Sequence, residues 1–401
     1  MNQEQICAIK IEEENCSVCS ICSATCPFDA IQVDEEQNKL ILDIEKCQVC
    51  GLCFSACPAS AIELLYYEPD ALLDYVVQRM KETTHKTVAV VCRGGSPPPS
   101  DKTREFLAQQ GYKDYILLRI PCAGRVPPEF YLKALKSGVE KIVVVQCDEE
   151  FCRFKRGSET SQKRLMLLNM VLKELGFGED TITYYINSMK AIYITENCVG
   201  CGKCAFVCPY DAIELQPSGT PVIDQALCVG CGACASACPH RAIQIEGYEY
   251  DHISELIQKY SLSTKEAKAK NGKPTILVFS CQWSEFSALD KVKNGLLNEN
   301  TAIIEVPCFK GLDPAYVVEA LYSGFDGVLA IVCPEDKCKL EKGTKIAGQN
   351  ADALEKILEN LGLKEKFEVC ESTPIYINQF ESLLKTFSDK LSSLHRRENN
   401  V

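Results

Sequence analysis

Residues 16–27 read CSVCSICSATCP and residues 47–58 read CQVCGLCFSACP. The same two runs return at 198–209 (CVGCGKCAFVCP) and at 228–239 (CVGCGACASACP). Each run spaces its cysteines by two, two and three residues and ends in proline. The first run is repeated 182 residues on, from Cys16 to Cys198, and the second 181 on, from Cys47 to Cys228. Looser sets follow each pair: Cys92, Cys122, Cys147 and Cys152, then Cys281, Cys308, Cys333 and Cys338. The last three members of the looser sets repeat at a constant 186 residues. The chain is therefore one unit written twice. The repeats use 24 of its 26 cysteines and leave out only Cys7 and Cys370.

The runs have the spacing of bacterial ferredoxins, in which the fourth cysteine serves the other of two [4Fe–4S] clusters. Three thiols at two-residue gaps wrap a loop around one cube, and a short helix then aims the fourth at its neighbour. That pattern gives Cys16, Cys19, Cys22 and Cys57 on one cluster, and Cys47, Cys50, Cys53 and Cys26 on another. In the repeat it gives Cys198, Cys201, Cys204 and Cys238, and Cys228, Cys231, Cys234 and Cys208. Zinc knuckles would show two C-x2-C pairs per metal and leave the triple runs unexplained. Each run continues Pro-x-x-Ala-Ile, at Ala30-Ile31, Ala61-Ile62, Ala212-Ile213 and Ala242-Ile243. Proline ends the helix, and Ala-Ile enters a strand that covers the cluster. Gly51, Gly200, Gly202, Gly230 and Gly232 give the loops backbone freedom. Ser17 and Ser20 are read as standing where the repeat has Gly200 and Gly202, which predicts a distinct potential for the Cys16 cluster.

Between the runs, residues 86–190 alternate apolar strands with helices. Strands are expected at Thr87–Cys92, Ile116–Cys122, Lys141–Cys147 and Thr181–Ile186, and helices at 101–110, Pro128–Ser137 and 159–175. The second copy repeats strands at Thr275–Cys281, Ala302–Cys308, Gly327–Cys333 and near 367–377, with a helix near 351–361. Continuous apolar strands separated by helices indicate a parallel sheet covered on both faces. In such a sheet the strand ends share one edge, where ligands bind. Cys92, Cys122 and Cys147 each end a strand, as do Cys281, Cys308 and Cys333. Cys152 and Cys338 lie five residues further on and can complete each quartet. Four thiolates suit a [2Fe–2S] cluster or a zinc ion equally well.

The segments Cys92-Arg93-Gly94, Arg119-Ile-Pro121-Cys122-Ala-Gly124-Arg125 and Cys147-Asp-Glu-Glu-Phe-Cys152 resemble the delta subunit of methyl-viologen-reducing hydrogenase. The resemblance covers about 100 residues in each copy. It implies a [2Fe–2S] cluster on each quartet and a role in passing electrons between a hydrogenase and heterodisulfide reductase. The copies depart from the family at Gly95 and Ser284, where a second cysteine often stands, and at Phe309-Lys310-Gly311, which lacks the Gly-Arg pair.

The expected architecture is α/β and α+β multidomain, two dicluster ferredoxin-like domains alternating with two parallel-sheet α/β domains. Boundaries are expected at 1–67, 86–190, 191–247 and 274–380, with a helical tail at 381–401. Helical patterns begin the linkers 68–86 and 247–274, the second continuing as an exposed loop. In the tail Phe380, Leu383, Leu384, Phe387, Leu391 and Leu394 recur at helical spacing, a face expected to pack on its own domain.

Composition narrows the function. The 401 residues are 46% hydrophobic, ordinary for a folded chain, with a formal charge of −12. That charge disfavours nucleic acid as a partner. No apolar run reaches the length of a transmembrane segment, and the opening MNQEQICAIK has no signal-peptide pattern. A cytoplasmic setting is expected, where cysteines serve as metal ligands rather than in disulfides. Cys7 and Cys370 are expected to be buried apolar residues. No nucleotide, dinucleotide or nucleophile-elbow motif is present, so no catalytic site is expected. The reading is an electron relay in a redox complex whose partners are a flavin-containing heterodisulfide reductase-like subunit and a hydrogenase or formate dehydrogenase. A free-standing polyferredoxin, the electron-input subunit of a benzoyl-CoA reductase-like complex and a zinc-stabilised scaffold are the alternatives.

Overall fold

The computed structural model describes residues 6–65, 67–95, 102–284, 296–338, 340 and 343–398. The chain forms two compact units. One holds the described residues up to Gly95, then 102–188 and the short stretch Ile375–Ile377; the other holds 189–374 and 378–398.

In the first unit, the ferredoxin-like part is built from two antiparallel strand pairs. Ile9–Ile11 pairs with Ile62–Leu64, and Ile31–Asp34 pairs with Lys39–Leu42. Short helices Ile21–Thr25 and Leu52–Ala56 carry the third cysteine of each run. Each helix has Cys26 or Cys57 at its end, and the proline that follows cannot extend it. Ala30, Ile31, Ala61 and Ile62 are buried, so the Ala-Ile pairs form the apolar lining expected of them. Cys7 bridges Tyr376 and is half-buried, less enclosed than its apolar reading required.

The α/β part of this unit is a four-stranded, wholly parallel sheet in the order Ile116–Ile120, Thr87–Cys92, Lys141–Gln146, Ile182–Ile186. The middle strands are buried along their length, as continuous apolar runs require. On one face Leu107 of the helix Lys102–Gln109 packs against Ala89, Val91, Val143 and Val145. Helices Pro69–Glu82, Pro128–Lys136 and Gly157–Glu174 complete the layer structure.

The second unit repeats this plan. Ala191–Tyr193 pairs with Ile243–Ile245 and Ile213–Leu215 with Pro221–Ile223. Its larger sheet runs Leu296–Asn298, Thr301–Val306, Ile276–Cys281, Gly327–Val332, Phe367–Glu371. The edge strand Leu296–Asn298 is antiparallel and was not expected. Three residues are too short to show a period, and a tight turn at Glu299-Asn300 returns the chain onto Thr301–Val306. The linker helix runs unbroken from Tyr250 to Asn271, absorbing the lysine-rich stretch expected to be a loop. The terminal helix Gln379–Glu398 lays Phe380, Phe387 and Leu391 on Ile276, Val278, Leu329 and Ile331 of its own sheet. Cys370 ends up half-buried in the strand Phe367–Glu371.

Candidate metal centres

Each cysteine run closes through backbone that curls in the left-handed region. Val18, Val49, Gly200 and Gly230 have φ of 51°, 49°, 70° and 63°, and Ser20, Gly51, Gly202 and Gly232 have φ between 64° and 85°. The position matching Gly200 is thus Val18, while Ser17 matches Val199; Ser20 does match Gly202. The curl turns N–H groups toward sulfur: Val49 donates to Cys47 Sγ and Gly200 to Cys198 Sγ, both at 3.4 Å.

A second device recurs four times. Asp29, Ser60, Asp211 and Arg241 all adopt φ of 51–55°, and the alanine after each donates its N–H to the fourth cysteine of the run. The distances are 3.4 Å for Ala30 to Cys26, 3.3 Å for Ala61 to Cys57, 3.4 Å for Ala212 to Cys208 and 3.2 Å for Ala242 to Cys238. The alanine in Pro-x-x-Ala is buried as part of the apolar Ala-Ile lining, and its N–H also stabilises negative charge on the sulfur. Sequence reasoning saw the first role and missed the second, although the fourfold repeat of the spacing was there to suggest it.

Thiols of the two runs in each ferredoxin-like part lie near enough to influence one another. Burial raises the Cys22 thiol, and Cys57 and Cys16 add to the rise. Burial holds Cys53 well above the usual thiol range, helped by Cys50, Cys47 and Cys26. Burial likewise raises Cys204, with Cys238 and Cys201 contributing, and Cys234, with Cys231, Cys228, Cys208 and Cys204 contributing. Neighbouring thiolates repel one another, and binding a cation-rich group would relieve that repulsion. Exposure is graded. Cys19 and Cys201 are exposed and Cys16 and Cys198 half-buried, whereas Cys47, Cys50, Cys53, Cys228, Cys231 and Cys234 are buried.

At the parallel-sheet edges, Cys92 closes its strand, and Cys147 follows the neighbouring one with its sulfur 4.0 Å from that of Cys92. Hydrogen bonding with Cys147 pulls the Cys92 thiol down to about 6 and lowers Cys152, while Cys147 itself is raised. Burial raises Cys122, and the nearby Cys152, Cys92 and Cys50 add to it. In the second unit Cys281 and Cys333 lie 3.5 Å apart, and a hydrogen bond with Cys338 raises Cys308.

Among the described residues no three His, Cys, Asp or Glu side chains close around a single ion. The fit to a larger inorganic group rests on a cradle at the start of each following helix. A Cβ on Gly157 would lie 2.5 Å from Cys122 Sγ and 3.3 Å from Cys152 Sγ; one on Gly343 would lie 2.8 Å from Cys338 Sγ and 3.2 Å from Cys308 Sγ. Glycine leaves the space between those sulfurs clear. Both glycines sit five residues beyond the last cysteine of their set, a spacing visible in the sequence but not singled out from it.

In each unit a ferredoxin run abuts a sheet-edge quartet. Ser55 donates to the Gly124 carbonyl at 2.9 Å, and Arg164 donates to the same carbonyl at 2.8 Å. Ser236 and Asn350 contact the Lys310 carbonyl in the same way, at 3.2 and 3.3 Å.

Cysteine runs on dicluster folds, next to thiols at a parallel-sheet edge, define an iron–sulfur electron-transfer protein. The family model described as "Methyl-viologen-reducing hydrogenase, delta subunit" matches residues 88–196 and 276–395, and two "4Fe-4S dicluster domain" models match 8–71 and 197–242. The chain belongs to the methyl-viologen-reducing hydrogenase delta subunit family. It is 31% identical over 198 residues to a subunit of the ferredoxin:CoB-CoM heterodisulfide reductase of Methanosarcina mazei, covering 49% of this chain and 24% of that one. It is 36% identical over 66 residues to an iron-sulfur subunit of the F420-non-reducing hydrogenase of Archaeoglobus profundus, covering 16% of this chain and 48% of that one. The chain thus spans about a quarter of the first relative and about half of the second. No helix among the described residues is long and apolar enough to cross a membrane.

Proposed function

We propose that the chain relays single electrons between partner subunits of a heterodisulfide reductase and hydrogenase or formate dehydrogenase assembly in the cytoplasm. Each ferredoxin domain would hold two [4Fe–4S] clusters on the crossed quartets, and each sheet edge a [2Fe–2S] cluster on Cys92, Cys122, Cys147 and Cys152 or on Cys281, Cys308, Cys333 and Cys338. Bound clusters supply one-electron exchange at potentials tuned by hydrogen bonds and exposure. The polypeptide orders them. The exposed thiols Cys19 and Cys201 mark where a partner can approach, and Val199 and Phe206, 62% and 91% exposed, give it an apolar footing beside Cys201. Inward lie the buried runs at Cys47–Cys53 and Cys228–Cys234, and beyond them the sheet-edge thiols. The observation that supports this reading is the packing of the ferredoxin loop on the sheet edge within one unit: Ser55 donates to the Gly124 carbonyl at 2.9 Å and Arg125 Nε to the Cys50 carbonyl at 3.3 Å. The alanine and αL-residue N–H groups offset part of the negative charge gathered there.

The test is anoxic purification from the native host with metal, acid-labile sulfide and partner analysis. The relay predicts about twenty irons per chain, from four [4Fe–4S] and two [2Fe–2S] clusters, together with a flavin- or nickel-containing subunit. A zinc-dominated, iron-poor chain would overturn it, and an iron-rich chain isolated alone would favour the free-standing polyferredoxin.

A further inference from the structure

We propose that a fully buried cation lies between one ferredoxin site and the sheet-edge site of each unit and raises the reduction potential of both: Arg125 in the first unit and Lys310 in the second. The inference rests on the cluster assignment above and concerns this chain's own residues.

Both side chains are completely buried. Arg125 Nε donates to the Cys50 carbonyl at 3.3 Å, its guanidinium also reaches the Val49 carbonyl, and it lies 5.1 Å from the Tyr67 ring. Gly51, in the left-handed region at φ 80°, leaves room for it, since a Cβ there would come within 2.8 Å of Arg125 Nε. Arg125 also closes the turn Ala123–Arg125 that follows Cys122, so it links the loop of Cys50 to that of Cys122. Lys310 lies two residues beyond Cys308, its carbonyl accepts from Ser236, and a Cβ on the adjoining Gly311 would lie 2.8 Å from the Cys231 carbonyl oxygen. Its Nζ has no hydrogen-bond partner among the described residues and lies 5.3 Å from the Tyr210 ring. An ammonium group buried without a hydrogen bond is costly unless negative charge faces it.

The two cations do not occupy corresponding positions. Ser55 and Ser236 donate to the carbonyls of Gly124 and Lys310, so Lys310 corresponds to Gly124 and Gly311 to Arg125. Packing explains the exchange. A Cβ at Gly124 would collide with the Gly157 carbonyl, and one at Gly311 would lie 2.7 Å from Gly232 Cα. Each copy keeps glycine where the backbone is crowded and sends a cation from the adjacent position. Residue type and position both change, yet the charge still faces one ferredoxin cysteine and one sheet-edge cysteine. Reduction adds negative charge to a cluster, and a fixed cation buried beside its ligand loops favours the reduced form.

The decisive experiment is an EPR-monitored redox titration of the anoxically purified full chain carrying Lys310→Met, which removes the charge and keeps the length. Two clusters should become harder to reduce by about tenfold or more in their reduced-to-oxidised ratio, ~59 mV for a one-electron couple. The other clusters should not move, iron and sulfide should stay at the wild-type level, and Lys310→Arg should restore the wild-type titration. Arg125→Gln should act likewise on the clusters held by Cys50 and by Cys122 in the first unit, and not on its third. Unchanged midpoints with full iron content, or movement of one cluster alone, would overturn the proposal. So would iron loss in both charge-removing variants, which would make the cations folding elements. A wild-type chain without iron would instead sink the cluster assignment itself.

Discussion

The backbone N–H of Ala61 lies 3.3 Å from the sulfur of Cys57, whose charge, with that of Cys16, adds to the rise of the Cys22 thiol. The left-handed turn at Ser60, with φ of 52°, precedes that N–H, and the proposed crossed quartet sets Cys57 with Cys16, Cys19 and Cys22. Crossing has a measurable signature. Cys16→Ala combined with Cys57→Ala should cost about four irons, no more than either alone, because both touch one [4Fe–4S] site. Cys16→Ala combined with Cys26→Ala should cost about eight. Iron and sulfide quantification of anoxically prepared variants decides, and equal losses from the two pairs would refute the crossed arrangement.

Gly157 should tolerate no side chain. Its Cβ position is 2.5 Å from Cys122 Sγ, so Gly157→Ala must push that sulfur aside. The expected result is loss of about two irons from one [2Fe–2S] site, with the four [4Fe–4S] EPR signals retained. Gly343→Ala should do the same in the second unit. Full iron content in both variants would show that the cradle is not needed.

Val18 carries a β-branched side chain at φ 51°, where the repeat has Gly200 at φ 70°. Such a residue in the left-handed region costs roughly 1–2 kcal/mol. Val18→Gly should therefore stabilise the first unit by about 1 kcal/mol after the entropy of glycine is counted, a rise of about 2–4 °C in Tm for a unit of this size. Anaerobic calorimetry reads this directly. A fall in Tm would mean that the Val18 side chain contributes packing that outweighs the backbone strain.

Asp326 holds the end of the long linker helix against the second sheet. Its carboxylate accepts from Lys268 Nζ at 2.6 Å and from the Thr275 N–H at 2.8 Å. Desolvation pushes its pKa up, but the hydrogen bonds from Lys268 and Thr275 outweigh it and the net shift is downward. A depressed carboxyl stabilises the fold at pH values above the unfolded pKa, about 3.9, and loses that contribution as the pH falls through the folded value. Asp326→Asn should cost about 1–3 kcal/mol. The deficit should be constant from about pH 5 to 8 and shrink only below about pH 4. Urea denaturation across that range tests it, and a deficit that grew toward acid would reverse the assignment.

Much of the architecture was legible because both patterns are local. Thr87–Cys92 and Gly327–Val332 are continuous apolar runs, and only a strand buried on both faces needs such a run. The doubled spacing of the cysteines gave the duplication directly. What escaped was either too short or too distant. Leu296–Asn298 has three residues and no period, and the helix Tyr250–Asn271 keeps its buried face through Tyr260, Thr264 and Ala267 although its other residues read as a polar loop. Pairing Ser17 with Gly200 fails by one position, because the 182-residue offset of the cysteines sets Ser17 against Val199 and Val18 against Gly200, and Val18 and Gly200 share the left-handed φ.

Chain order alone determined which thiols exist, how far apart they stand, and that each set occurs twice, since spacing along a backbone is fixed by covalent geometry. Only the folded molecule decided that Arg125 reaches the Cys50 carbonyl, that Gly157 clears the space between two sulfurs, and that the carbonyls of Gly124 and Lys310 each accept from a ferredoxin serine. Those relations depend on which loops pack together, and packing brings close together groups that the sequence holds dozens of residues apart.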